Sequence, residues 1–227
     1  IMRQLRLSSA AVLVVLLIFC IYMGYDYWKE HTPEAALAHI GHAVATEDRD
    51  GFDRYVDMDA VLAGLAEDST ELLAENIDAL HARHPSDWFF RHDAAFMRDY
   101  MAERRMADIA FTRAMLDHYF DAARVPVSRT DGMARWASDE MRAFAAAYSV
   151  TVGAVRTDGD HAYADAVLHG SDSTYGRLLP MAAFTLELAR MADGRWKLVR
   201  IRTAADEDGF FALVDAAERY WALQGWD

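Results

Sequence analysis

From Thr32 to about Ala147 the apolar residues recur every three or four positions, and from Ser149 to Ala204 they recur every two. This change of period is the strongest constraint on the fold. Side chains three or four apart share a helix face, whereas alternate side chains share a strand face. Helices first and strands afterwards exclude the alternating order of a parallel sheet. They predict an α+β domain, with a helical layer packed on a curved four-stranded antiparallel sheet and a helix at the C-terminus.

Local signals divide the helical half. Thr32-Pro33-Glu34 reads as a helix start, with Thr32 as cap and Pro33 in the first turn. Leu37, Ile40 and Val44 continue one apolar stripe until "EDRDG" breaks it near Thr46. A second helix carries Phe52, Tyr55 and Val56, then Val61, Leu62 and Leu65. Asp68 with Glu71 has the spacing of a capping box and predicts a third helix bearing Leu72, Leu73, Ile77 and Leu80. "RHPSD" ends it at Pro85, and Ser86 or Asp87 is the expected cap of the next. Residues 87–124 read as helix, with a break near Arg104-Arg105 and a stop at Pro126. One more helix is expected from Asp131 to Ala147.

The strands are expected in "SVTVGAVRT", "HAYADAVLH", "AAFTLELARM" and "WKLVRIRTA". "DGD" at 158–160 and "ADGR" at 192–195 are tight-turn signals, so the first and last pairs read as hairpins. A link with Gly170, Gly176 and Pro180 joins them. "GFFALVDAAERYWALQ" reads as the closing amphipathic helix. In the last strand Trp196 and Leu198 fall on one face, Val199 and Ile201 on the other. That alternation predicts a strand needing cover on both sides.

Before the domain, no charge falls between Arg6 and Asp26. As a helix, Leu7 to Tyr25 reaches roughly 28 Å, close to the hydrocarbon thickness of a bilayer. Val12, Leu16, Ile18, Cys20, Ile21 and Tyr22 form its apolar core, and Tyr25, Tyr27 and Trp28 suit the far interface. Gly24, Tyr25, Asp26 and Tyr27 make a poor site for signal cleavage. Phe19 before Cys20 makes a poor lipid-attachment site. The expectation is an uncleaved anchor over 7–25, a cytoplasmic tail over 1–6 and an extracytoplasmic domain over 26–227. Arg3 and Arg6 orient the N-terminus toward the cytoplasm of a bacterial inner membrane. Cys20 is the single cysteine, so no intrachain disulfide can form.

The 227 residues carry 36 acidic and 23 basic side chains, a formal charge of −13. Such a chain repels phosphate backbones, so nucleic acid is not an expected partner. No G-x-S-x-G, phosphate-binding glycine loop or dinucleotide fingerprint occurs, and no cofactor is expected. His39 with His42, and His81 with His84, share helix faces, and His92 and Asp93 lie near the second pair. Neither pair has a third ligand at local spacing, so no metal is expected. Met and aromatic residues concentrate between Trp88 and Phe120. Met97, Tyr100, Met101, Arg104 and Arg105 are the candidate partner groove within this stretch.

Two phrases carry a resemblance. "DRDGFDRYVD", Asp48 to Asp57, within a longer helical pair, resembles the opening of small bacterial NTF2-like domains. "DGRWKLVRI", 193–201, resembles their final hairpin. The chain is thus similar to membrane-anchored members of the NTF2-like (cystatin-like α+β) superfamily, with residues of about 68–147 as a helical insertion. The layout also resembles the inner-membrane scaffold subunits of type IV secretion systems. The resemblance implies a cone between helices and sheet, with Trp136, Tyr163, Phe184, Leu186, Trp196 and Leu198 as its candidate lining or interface. For an isomerase-like or dehydratase-like member it implies an acid or base there, with Tyr55, Asp57, His92, Asp99, Tyr163 and Asp165 as candidates. Asp57 and Asp59 equally suit solvated caps around Met58.

The expected function is that of a non-catalytic accessory or scaffold subunit. It crosses the bilayer once and docks on a membrane protein complex or forms a homodimer. The retained span, the lack of a catalytic constellation and the two-sided strand support this, and Ser8, Ser9, Ala10 and Ala11 would permit close helix packing. The alternatives are a module holding an apolar small molecule or lipid in the cone, and an enzyme.

Overall fold

The computed structural model describes residues 31–121, 139–140, 142–143 and 146–225. The expected span, the helix start at Asp131, Pro126 and Trp136 lie outside them. No helix among the described residues is long and apolar enough to cross a membrane.

Six α-helices and four strands are defined among these residues. They are α1 Pro33–Ala45, α2 Arg49–Tyr55, α3 Met58–Glu75, α4 Ile77–Arg83, α5 Ala94–Asp121, β1 Tyr148–Asp158, β2 His161–Gly170, β3 Met181–Arg190, β4 Trp196–Arg202 and α6 Phe210–Gln224. The strands form one antiparallel meander in the order β1-β2-β3-β4, as the alternation predicts. Gly159 and Gly194 turn the two outer hairpins with positive φ, 59° and 85°, where a Cβ would be strained.

The helix boundaries depart from expectation in three places, each for a local reason. Asp68 opens no helix, because α3 begins ten residues earlier. Its cap is Asp57, which accepts a hydrogen bond from the Ala60 N–H at 3.1 Å. Neither Ser86 nor Asp87 caps the long helix. Asp87 accepts from the Phe89 N–H and supports a short 3-10 turn, Phe89–Arg91, while Asp93 caps α5 through the Phe96 N–H, both at 2.8 Å. The break near Arg104-Arg105 is absent. Arg104 stacks on Tyr100 one turn back and pairs with Asp108 one turn on, so the helix runs through.

One face of the sheet is covered. Ala162, Leu188 and Trp196 pack against Ala36 and Tyr55, and Ala166, Leu186 and Leu198 pack against Val56 and Val61. The Trp196 Nε1–H donates to the His31 carbonyl at 3.1 Å, which ties the start of α1 to β4. The chain between α2 and α3 also closes the β4 edge, where the Asp57 N–H donates to the Leu198 carbonyl at 2.9 Å.

The two-sided reading of β4 is corrected here. Glu187 pairs with Arg200 and Leu188 pairs with Leu198, which leaves Val199 as the extra residue of a bulge. The extra residue resets the alternation. Ile201 therefore pairs with Leu186 and joins the core side with Leu198. The other face of the sheet is polar. Arg156 pairs with Asp165 at 3.2 Å, Arg202 with Glu187 at 3.2 Å, and His161 lies 3.4 Å from Glu187. It carries ion pairs suited to water, and no second layer is required.

A second core joins the helices away from the sheet. Leu80, Met97, Phe90 and Phe210 pack with Ala74 and Ile77, so α3, α4, α5 and α6 meet there. α5 lies antiparallel beside α3, with Arg98 on Glu71 at one end and Arg113 on Asp59 at the other.

Candidate functional site

Two adjoining apolar grooves flank α3. Val61 and Leu62 are buried toward the sheet and α5, but Leu65, one turn on, is 40% exposed. On one side Leu65, Ser69 and Leu72 face Ile201, Leu213 and Val214 across a groove of about 300 Å³ between α3, β4 and α6. On the other, Leu62, Leu65 and Ser69 face Met101, Ile109 and Thr112 across a groove of about 260 Å³ between α3 and α5. Leu65 and Ser69 line both, so α3 is the ridge between two adjoining grooves. Leu213, on the α6 wall, is 41% exposed.

Charge rims this surface. Arg200 holds Asp68 at 3.0 and 2.5 Å and Glu67 at 3.0 Å. The Asp68 bonds are the main reason the Arg200 guanidinium holds its proton more tightly than usual. Arg105 and Asp108 line the second groove. At the α6 end of the first, the exposed turn Asp206-Glu207-Asp208 leads into Phe210, and only Glu207 of the three has an ion pair among the described residues.

A charged cluster fastens α6 nearby. Asp215 is buried, yet its carboxylate accepts two bonds from Arg83, at 2.7 and 2.6 Å, and lies 2.9 Å from His84 Nε2. The Arg83 bonds are the main cause holding the Asp215 carboxyl below the usual carboxylate range, and His84 adds to it. Glu218, one turn on, moves the opposite way. Burial raises it first, and the neighbouring Asp87 carboxylate raises it further. Arg83, His84, Asp215, Glu218 and Arg219 line an open depression of about 470 Å³ with Ala222. Among the described residues its lining offers no hydroxyl or thiol. The bidentate ion pair joins α4 to α6. Farther along α6, Glu140 accepts from Tyr175 at 2.8 Å and Tyr220 at 3.2 Å, and burial with Glu140 pushes the Tyr220 phenol up to about 12.

The residues singled out from sequence are dispersed. Leu186, Trp196 and Leu198 are core, each less than a tenth exposed, and Phe184 packs half-buried beside them. Helix side chains fill the space that a cone would occupy there. Tyr163 lies on the opposite, polar face, in register with Arg156 and Glu187. In the expected partner groove, Met97 is fully buried in the helical core, which corrects its assignment to a surface. Tyr100 stacks on Phe96 and meets Phe89 edge to face, and Arg104 sits over it at 5.6 Å. Met101 and Arg105 do line a groove, against α3.

The acid–base candidates do not converge. Tyr55 is core and stacks on His39 at 4.7 Å, Asp57 is a helix cap, and Asp165 is on the polar sheet face. His92 stacks on Phe96 at 3.8 Å, and Asp99 is exposed. His84 pairs with Asp215 while His81 is exposed, and no group of three metal-ligating side chains occurs among the described residues. Sequence reasoning missed the Arg83–Asp215 pair and the role of Leu65 as a shared ridge. An acidic residue within the apolar run "FFALVDAA" was the one available signal for the first.

Comparison with protein families, with characterised proteins and with solved structures finds no match for this chain.

Proposed function

We propose that this chain is a single-pass membrane accessory or scaffold subunit, built on an NTF2-like domain. The grooves beside α3 hold an apolar, basic-flanked segment of a larger membrane protein assembly. The observation that carries this reading is the pair of apolar grooves meeting at half-exposed Leu65, with the acidic turn 206–208 running between Thr203 and Phe210 of the first groove's lining. Apolar grooves between helices suit an amphipathic partner, with apolar anchors in the groove and opposite charge at the rim. The uncharged stretch from Leu7 to Tyr25 supports the membrane tether. The polar outer sheet face lends this reading no support, so it rests on the helical side alone. Packed side chains at Leu186, Trp196 and Leu198 weigh against a ligand held between helices and sheet.

The test is the composition of the complex extracted from native membranes in mild detergent. The expected result is a second membrane protein in fixed stoichiometry, with an apolar segment flanked by Lys or Arg. Leu65→Lys with Leu213→Lys is expected to release it, with thermal unfolding unchanged because both side chains already reach solvent. If the chain runs alone or only with its own copies, the reading fails.

A further inference from the structure

α6 is held in two different ways along its length. Its first turns are held by apolar packing, with Phe210 in the helical core and Phe211 and Val214 against it. After Val214 the one buried side chain among the described residues of the helix is Asp215, a carboxylate. The rest of α6 is fastened by polar bonds. Asp215 meets Arg83 and His84, Arg219 donates to the Leu178 carbonyl at 2.7 Å, and Tyr220 donates to Glu140 at 3.2 Å. A helix docked by charge rather than by apolar area responds to protons.

The joint with α4 carries excess negative charge. Four carboxylates, Asp87, Glu207, Asp215 and Glu218, meet two guanidiniums, Arg83 and Arg219. Both guanidiniums are committed elsewhere than to Glu218. Arg83 holds Asp215 and Glu207, while Arg219 donates to Leu178 and leans toward Asp215 at 3.7 Å. Glu218, half-buried one turn after Asp215, has no ion pair among the described residues and lies against Asp87. The Phe89 N–H holds Asp87 in place at 2.8 Å. Two carboxylates this close hold one proton better than none. His84 is the second acceptor of a proton, since it lies 2.9 Å from Asp215 and becomes its ion-pair partner once charged. Protons on Glu218 and His84 would bring the joint to neutrality.

The same helix is a wall of the first groove. Asp215, Glu218, Arg219 and Ala222 line the charged depression, while Leu213, Val214 and Ala217 line the groove beside α3. At 3.6 residues per turn these two sets fall on opposite faces of α6. Whatever loosens the charged face therefore releases the apolar one.

We propose that protons on Glu218 and His84 clamp α6 onto α4, so that the α6 wall of the groove is firm in mild acid and loosens above neutral pH. What the groove then holds or releases rests on the proposed function; the clamp itself does not. Burial, with Asp87, raises the Glu218 carboxyl, so its contribution is complete below the ordinary carboxylate value and is lost as pH rises through the folded one. Histidine changes charge between about pH 5 and 8, so His84 acts in the same direction. Asp215 sets the lower limit, since in strong acid it takes a proton itself and gives up its charge to Arg83 and His84. The Tyr220 phenol, pushed up to about 12, stays protonated throughout this window.

The test is amide hydrogen exchange, read by mass spectrometry, on the full chain in lipid vesicles, with rates corrected for the intrinsic effect of pH. Protection of residues 215–224 relative to β3 is expected to rise about tenfold from pH 8 to pH 6. Glu218→Gln is expected to raise that protection at pH 8, and Glu218→Gln with His84→Gln to abolish its pH dependence, with β3 unchanged as the check that the variants fold. Protection of 215–224 that ignores pH, that changes equally in β3, or that keeps its pH dependence in the double variant would overturn the inference. The measurement needs no partner. An α6 that ignores pH in a chain that still captures a membrane partner would overturn this inference and leave the proposed function standing. A proton-clamped α6 in a chain that captures no partner would do the reverse.

Discussion

The sharpest test of how the domain is held together is Asp215→Asn. The substitution keeps the shape of the side chain but removes its charge and one acceptor oxygen. In the native fold that carboxylate takes two bonds from Arg83, at 2.7 and 2.6 Å, and one contact from His84 at 2.9 Å. Removing one partner of a fully buried pair costs about 3–5 kcal/mol. Arg83 is 34% exposed and keeps Glu207 as a second partner, so the cost here is smaller, about 2–3 kcal/mol. For a domain of this size that lowers the unfolding midpoint by about 5–10 °C. The pH dependence supplies a second check. The Asp215 carboxyl titrates below its unfolded value of ~3.9, so its stabilisation is complete above that value. It is lost as pH falls through the lower, folded value. Wild type and variant should therefore differ fully at pH 7 and converge in strong acid. Denaturant unfolding at pH 7 and pH 3, with Arg83→Gln as the other arm of a double-mutant cycle, measures both effects. A loss under ~0.5 kcal/mol, as for an exposed pair, or a difference independent of pH, would refute the account of Asp215 as the fastening of α6.

Glu218→Gln should act with the opposite sign. Burial and Asp87 raise the Glu218 carboxyl, so its ionisation at neutral pH costs stability; the variant is expected to gain stability at pH 7–8, and equilibrium unfolding should show that gain fading toward pH 4. His118 is fully buried in α5, and neither ring nitrogen is hydrogen-bonded among the described residues, so His118→Leu is expected to stabilise the domain by about 1–2 kcal/mol in denaturant titration; a loss of stability would mean the ring contributes packing that leucine cannot replace. At Gly170 a Cβ would lie 2.0 Å from the Gly176 carbonyl oxygen and 2.6 Å from that of Leu179, so Gly170→Ala should displace the 176–180 link and cost more than about 3 kcal/mol, read as a lowered denaturation midpoint.

The N-cap at Thr32, the four strands and the turns at Gly159 and Gly194 were legible in the sequence because each depends on neighbours a few residues away. The α1 stripe and the strand alternation are likewise local periodicities, which survive in any fold that buries them. Asp68 shows where such reasoning stops. Its spacing to Glu71 satisfies the capping pattern, but its carboxylate is taken by Arg200, 132 residues away, and the helix starts at Asp57 instead. A capping signal states only what a side chain is able to do locally, and a distant guanidinium outcompeted it.

β4 teaches the same lesson about faces. Strict alternation puts Val199 and Ile201 together, but one extra residue at Val199 reverses every side chain after it. The slip depends on the pairing partner in β3, so it cannot be read from β4 alone. The sequence by itself determined the helix-then-strand order, the acidic surface, the uncharged N-terminal stretch and the hairpin turns, since these follow from composition and from contacts within a few residues. Only the tertiary structure decided that the sheet has one apolar and one polar face, that Met97 is core while Leu65 is open, and that Arg83 and Asp215 meet. Each of these depends on which distant elements pack together, and residues far apart in the chain settle that jointly.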